Sequence, residues 1–432
     1  MQKSKKRSVF LFGAGSAISW GGPPTSELTK LICKSGIKNK EGEYITKVIF
    51  DWLVKYSGLD EWDVNFETII NAIEDIAEYW FNSSNGLING LAFPLKDVNR
   101  DVWEEILNFK VTYKGDRQFS MEIPNADVVL EQDLKFISKD KYPTPESKFF
   151  EALLQCLFTE IQARISDYSY VTVSHVKTLE NENNMEINDL ALKFFANKSE
   201  RSILRLYNLN YDRVFQYLFY KAGLSADQGF NDEEIFPRSI VHFNPLRIFR
   251  KMEENCIYHL HGSAFWEVVP VDSNGLDYYK FVHSPYPTLQ VNEAFARFEM
   301  EKGKPLLIGN IITGYRKSQR TSLSPFRQMF SAFDQDCHKG EELIVIGYSF
   351  SDQHINDIIN KAREVNQSQK LVIIDPKIDI DKFLFNHASK WKWLDQIPER
   401  KPIGEKIISI PFFNLTFYQM TFREFLEEQV IT

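Results

Sequence analysis

The chain has 432 residues, 43% hydrophobic and 25% charged, with a formal net charge of −8. That balance fits a globular protein with room for more than one structural unit, and the 35 Phe and 18 Tyr suggest well-filled helical cores. The negative charge argues against a broad grip on nucleic acid, and no apolar run reaches the roughly 20 residues that span a bilayer.

Lys3, Lys5, Lys6 and Arg7 lead straight into a short strand, so the start reads as a solvated tail and not as a secretory signal; a cytoplasmic protein is expected. Arg7 to about Lys34 then reads as strand, phosphate loop and helix. Thr25 or Ser26 can cap that helix, and Leu28, Leu31 and Ile32 form its apolar face. From Tyr44 to Leu107 the spacing turns helical, through Val48, Ile49, Trp52 and Leu53 and then Phe66, Ile69, Ile70 and Ile73. Lys110 to Ile123 alternates around Gly115-Asp116, which predicts a hairpin. Pro143 to Ile165 reads as an amphipathic helix, and the polar run Glu180 to Asn184 as an exposed loop.

Alternating strand and helix patterns resume at Ile203 to Tyr207, followed by a helix over Asp212 to Ala222. Ile257 to His261, Pro305 to Ile308, Leu343 to Ile346 and Leu371 to Ile374 are short apolar runs of the kind that form buried parallel strands. Gln353 to Val365 reads as a helix, Ile407 to Met420 as strand, and Phe422 to Val430 as a short helix. The expected fold class is therefore α/β, with a Rossmann-like parallel sheet. Its two parts, 1–40 and 200–432, would flank a mainly helical insertion with a hairpin at 41–199.

Four segments fall at the ends of predicted strands, where open α/β sheets place their ligand crevice. Gly13-Ala14-Gly15 lets a backbone approach a diphosphate, although a simple tight turn uses the same residues. Asn208-Leu209-Asn210-Tyr211-Asp212 offers an amide and a carboxylate, or merely an Asx turn. Tyr258-His259-Leu260-His261-Gly262-Ser263 carries two histidines two apart, able to meet a metal but without an apparent third ligand. Gly347-Tyr348-Ser349-Phe350-Ser351-Asp352 presents hydroxyls suited to phosphate or ribose, or a helix cap. The cysteines, Cys33, Cys156, Cys256 and Cys337, are scattered without a Cys-x-x-Cys pair, so neither a zinc ribbon nor a disulfide framework is expected.

Taken in order, these four motifs resemble those of the Sir2 (sirtuin) superfamily: the glycine loop with Gly21 and Pro23 behind it, Asn210-Tyr211-Asp212, His261-Gly262-Ser263 and Gly347-Tyr348-Ser349. The run Tyr348 to Asp352, with His354-Ile355-Asn356 nearby, looks like the bacterial Sir2-like domains of anti-phage defence. The likeness departs from deacetylases in three places. Ala17 stands where they carry a Ser, Pro24-Thr25-Ser26 replaces their Asp-Phe-Arg, and their zinc-binding cysteine module is missing. What the resemblance implies is an NAD glycohydrolase, with NAD consumed as substrate, no metal, and a role as toxic effector in abortive infection.

By the same resemblance, Asn210 would orient the attacking water, and His261 would touch the ribose hydroxyls or act as base, a task suited to its ordinary pKa of about 6.5. Asp212 would hold the nicotinamide side or fix Asn210. Gly13, Ala14 and Gly15, with Ser16 and Pro23, would cradle the diphosphate; Gly347 and Ser349 would meet ribose or phosphate. Asp375 would contact ribose or adenine, or cap its loop. A homo-oligomer and a separately encoded sensor, such as a HerA-type ATPase, are implied as partners. Two other uses of the pocket are a protein deacylase or ADP-ribosyltransferase, and a non-catalytic NAD or nucleotide sensor.

Overall fold

The apolar run that follows Arg7 becomes a central strand in a computed structural model, which describes residues 5–58, 61, 63–84, 107–115, 118–123, 128–133, 144–169, 179–231, 242–270, 279–283, 297–301, 304–307, 309–313, 320–391 and 398–431. The chain starts with β1 (Lys6–Phe12), a 3-10 helix (Ala14–Trp20), α1 (Thr25–Ile32), α2 (Ile45–Tyr56) and α3 (Phe66–Ser84). Next come β2 (Lys110–Gly115), β3 (Gln118–Ile123), β4 (Val128–Asp133), α4 (Pro145–Ser169) and α5 (Glu182–Arg201). The middle holds β5 (Ser202–Asn208), α6 (Val214–Lys221), α7 (Pro245–Arg250), β6 (Cys256–His259), β7 (Trp266–Pro270), β8 (Tyr279–His283), β9 (Arg297–Glu301) and β10 (Lys304–Leu307). After these follow α8 (Phe326–Lys339), β11 (Glu342–Ile346), α9 (Gln353–Val365), β12 (Lys370–Ile374) and α10 (Ile380–Asn386). The last elements are β13 (Lys401–Gly404), β14 (Ile407–Ile410), β15 (Leu415–Tyr418) and α11 (Phe422–Ile431).

Eight strands form one sheet in the order β13-β14-β15-β12-β11-β1-β5-β6, parallel from β15 to β6 and antiparallel at the β13 and β14 edge. Both faces are covered, which is why β1 reads as a continuous apolar run. Phe10 and Phe12 point into a core built with α4, α5, α6 and α11, while Val9 and Leu11 point into another built with α8, α9 and α10. All four are fully buried, and each such side chain contributes about 1.5–3 kcal/mol. The chain leaves β1 toward β5 and β6 on one side, then returns to β11, β12 and β15 on the other. That reversal opens a crevice beyond the carboxyl ends of β1 and β11.

Several expectations change. Lys304–Leu307 is not a buried parallel strand but pairs antiparallel with β9 in a separate two-stranded sheet; Pro305 has no N–H for a central ladder, and Ile308 lies outside the described residues. Neither Thr25 nor Ser26 caps α1: Thr25 is already helical, and Pro24 holds the cap position without a side-chain bond. The helix after β5 begins at Val214 and not at Asp212, because the Asp212 carboxylate accepts the Val214 N–H. The polar run at 180–184 is the start of α5, where Asn181 accepts from the Asn184 N–H at 3.0 Å. Ile407 to Met420 splits into two antiparallel strands around the 3-10 turn Pro411–Phe413, with Asn414 at φ 50°. The hairpin at Lys110 to Ile123 is present and extended by β4; Asp116 itself lies outside the described residues. Among the described residues, no helix is long and apolar enough to cross a membrane.

Candidate active site

A cavity of about 2020 Å³ lies at the carboxyl ends of the parallel strands, larger than the roughly 300–1,000 Å³ of ordinary ligand pockets. Its wall is formed by the loops after β1, β5, β6, β11 and β12 together with α1, α4 and the segment before α3. Gly13, Ala14, Gly15, Pro23, Asn210, His261, Gly347, Ser349 and Asp375 all line it. Ser16 and Asp212 do not; both are fully buried behind the wall.

The glycine loop meets the loop after β11 face to face. The Gly13 N–H donates to the Ile346 carbonyl at 2.9 Å, and the Gly15 N–H to the Gly347 carbonyl at 2.9 Å. A Cβ on Gly13 would fall 2.5 Å from the Gly347 oxygen, and one on Gly347, at φ 60°, 2.3 Å from the Ser16 nitrogen. These glycines are needed first so that two strand-end loops can cross. Two of the N–H groups expected to cradle a diphosphate are taken up in that crossing, and the chain continues as a 3-10 helix and not as an α-helix.

Asn210 is held from four directions. Its N–H donates to Asn208 Oδ1 at 2.9 Å, and its carbonyl accepts from His259 Nδ1 at 3.1 Å. Its side-chain Nδ2 donates to the Gly13 carbonyl at 3.1 Å and to Ser16 Oγ at 3.3 Å. Because a carbonyl can only accept, His259 carries its proton on Nδ1. Burial pushes the His259 pKa down to about 4, so the ring is neutral. Ser16 is in turn tied to the Gly13 carbonyl at 2.7 Å. With both Nδ2 protons engaged, Asn210 has Oδ1 left to receive a hydrogen bond from a water or a sugar hydroxyl.

His261 is buried at the cavity wall, its carbonyl fixed by the Ile312 N–H at 2.7 Å. Its Nε2 lies 3.0 Å from Asp352 Oδ2, at ion-pair distance but not aligned as a hydrogen bond. Gly262, at φ 84°, has the Asn310 carbonyl where a Cβ would sit. Ser263 is structural, its hydroxyl bonded to the Tyr211 carbonyl and the Phe265 N–H. The two histidines do not share a ligand: His259 turns to Asn210 and His261 to Asp352. Among the described residues, no group of three metal-binding side chains converges.

Asp212, expected to face nicotinamide or fix Asn210, instead accepts from Tyr168 Oη at 2.9 Å and from the Val214 N–H at 3.0 Å. Burial raises its pKa to about 6. Ser349 is exposed in the cavity, 3.0 Å from Ser351 Oγ. Asp375 does cap its own loop, accepting from the Lys377 N–H at 2.7 Å, while still lining the cavity; burial raises its pKa. Phe350 adopts φ 57°, a left-handed conformation rare for an aromatic residue, and its carbonyl is pinned by Asn356 Nδ2 at 2.8 Å.

Sequence reasoning missed three contributors. Asp352 reads in the sequence only as a helix cap, which it is, accepting from the His354 N–H at 3.1 Å. Nothing local announces its second contact, with a histidine 91 positions earlier. Tyr168 and His259 likewise act through partners distant in the sequence, and only the strand order brings them together.

A family model described as a SIR2-like domain matches residues 205–392. That span includes Asn210, His261, Gly347 and Asp352 but not the glycine loop. No curated protein matches the sequence. Over residues 205–392, then, the chain is similar to SIR2-like domains, a likeness in keeping with its α/β fold and with an NAD-related function in general.

Proposed function

We propose that the cavity binds NAD and hydrolyses its nicotinamide–ribose bond, releasing nicotinamide and ADP-ribose. The observation that carries this reading is the meeting of Asn210 and His261 in one cavity at the switch point of a SIR2-like sheet. Nicotinamide is cationic within NAD and leaves as a neutral base, so it needs no protonation. As the C–N bond breaks, its electron pair goes to the nicotinamide nitrogen and positive charge grows on the ribosyl carbon. Asn210 Oδ1 accepts a hydrogen bond from the incoming water and so aims a lone pair at that carbon. The water oxygen forms the new bond, and His261 takes the proton it sheds.

The other residues have supporting tasks in this reading. Ser16 and His259 hold Asn210, and Asp212 supports the loop from behind by accepting the Val214 N–H at the start of α6. Gly13, Ala14, Gly15 and Pro23 shape the wall against the diphosphate, while Gly347, Ser349 and Asp375 face ribose, phosphate or adenosine. Hydrolysis is favoured over deacylation because the sequence lacks the paired cysteines of the deacetylase zinc module. We further read the chain as the effector of an anti-phage system, cytoplasmic and restrained until assembly, since unchecked loss of NAD is lethal. Segment 41–199 would be the insertion that mediates a homo-oligomer or docks a separately encoded sensor.

Product analysis tests the reaction class. Purified protein incubated with NAD, alone and with a candidate activator, should yield nicotinamide and ADP-ribose in equal amounts. An acyl-ADP-ribose or a labelled protein formed in their place would point to the transferase reading. Stabilisation by NAD without cleavage would point to a sensor.

A further inference from the structure

Asp352 stands where two structural demands meet. Oδ1 accepts the His354 N–H and caps α9, while Oδ2 lies 3.0 Å from His261 Nε2, with the two side chains only 10% and 6% exposed. The carboxylate has little freedom to turn away. The Asp352 N–H donates to Tyr348 Oη at 3.2 Å, and the Asp352 carbonyl and Asn356 Oδ1 flank the same hydroxyl at 3.0 and 2.9 Å. Asn356 Nδ2 closes the loop on the Phe350 carbonyl. His261 is fixed from its own side by the Ile312 N–H and by Gly262, which has no room for a side chain. Two rigid loops thus bring a carboxylate and an imidazole together at the wall of the cavity.

We propose that Asp352 is the positioning residue of His261, holding the proton on Nε2 so that Nδ1 is the nitrogen that takes a proton in the reaction. An imidazole with one nitrogen against a carboxylate has its tautomer and ring angle set, and the carboxylate stabilises the imidazolium that forms. Alignment of the pair is left to the substrate complex, as is common for catalytic contacts without substrate. Among the described residues, other charges near this corner include Glu67, which accepts from Tyr211 Oη at 3.4 Å, and Arg320, which pairs with Glu74. The positioning role rests on the NAD-cleaving reading, but the His261–Asp352 contact does not.

Asp352→Asn separates the two tasks. Asn caps a helix as well as Asp does, so α9 and the melting temperature should hold. Without the carboxylate, the His261 pKa, followed by NMR titration, should fall by about one unit. NAD turnover should drop about 10- to 100-fold in kcat with little change in KM, and its pH profile should shift with the His261 pKa. Asp352→Ala, which also removes the cap, should lose stability in addition. The proposal is overturned if His261 titrates identically in the Asn variant, or if activity falls only in step with the melting temperature. Should the native protein not cleave NAD at all, the hydrolase reading fails, and the titration alone still decides whether Asp352 governs His261.

Discussion

Gly347 packs against the backbone of Ser16 so closely that a Cβ on it would come within 2.3 Å of the Ser16 nitrogen. This contact joins the loop after β1 to the loop after β11 and, through Ser16 Oγ, to the Asn210 amide. Gly347→Ala must therefore move one loop and also place a side chain at φ 60°, a backbone cost alone of about 1–3 kcal/mol. Chemical denaturation should register at least that loss. NAD affinity should fall with it, whereas Gly42→Ala, with φ 86° but open space around its Cβ, should leave affinity unchanged.

Asp336 gathers Arg7 and Arg205 at 2.7 and 2.5 Å, together with the Tyr207 hydroxyl, in fully buried surroundings. Arg7 stands near the start of β1, away from the strand ends that carry the cavity. Asp336→Ala removes the carboxylate that two buried guanidinium groups share, leaving Arg7 to Glu253 and Arg205 to the Lys251 and Glu254 carbonyls, and should cost about 3–5 kcal/mol in unfolding free energy. In the protein that remains folded, KM for NAD should be unchanged. A selective change in KM at full stability would contradict this assignment.

Asp212 and His259 give opposite dependences of stability on pH. The folded Asp212 pKa, about 6, lies above its ordinary 3.8, so the native state binds the extra proton and stability falls as pH rises through this interval. The folded His259 pKa, about 4, lies below its ordinary 6.5, so the unfolded state binds the extra proton and stability rises with pH over nearly the same interval. Each contribution is about 3 kcal/mol, and in the native protein they largely cancel. Asp212→Asn keeps an oxygen to accept the Val214 N–H and an amide that can donate to the Tyr168 hydroxyl, but removes one titration. Its urea midpoint should climb between pH 4 and 6.5 while that of the native protein stays nearly flat. Parallel curves for the two proteins would refute the pair of shifts.

The parts of this fold legible in the sequence are those set by burial on both faces. Val9 to Phe12, Leu343 to Ile346 and Leu371 to Ile374 announce themselves as apolar runs, and α9 spans Gln353 to Val365 as its spacing predicts. Four motifs at strand ends were enough to expect one crevice, because parallel strands present all their carboxyl ends on one side. What stayed hidden depends on partners remote in the chain. Gly13 and Gly15 read as a diphosphate cradle, yet their N–H groups go to the Ile346 and Gly347 carbonyls. Asp212 reads as a site carboxylate, yet Tyr168 of α4 covers it. Lys304–Leu307 reads as one more buried strand, yet Pro305 suits it to a hairpin.

Nicotinamide release at saturating NAD is the most direct measurement, comparing the native protein with Asn210→Ala and His261→Ala in the same assembly state. Turnover in the native protein, reduced about 100-fold or more in both variants at unchanged melting temperature, is the result expected of a hydrolytic site built on these two residues. Undiminished turnover in either variant, or none in the native protein in any assembly state, would contradict it.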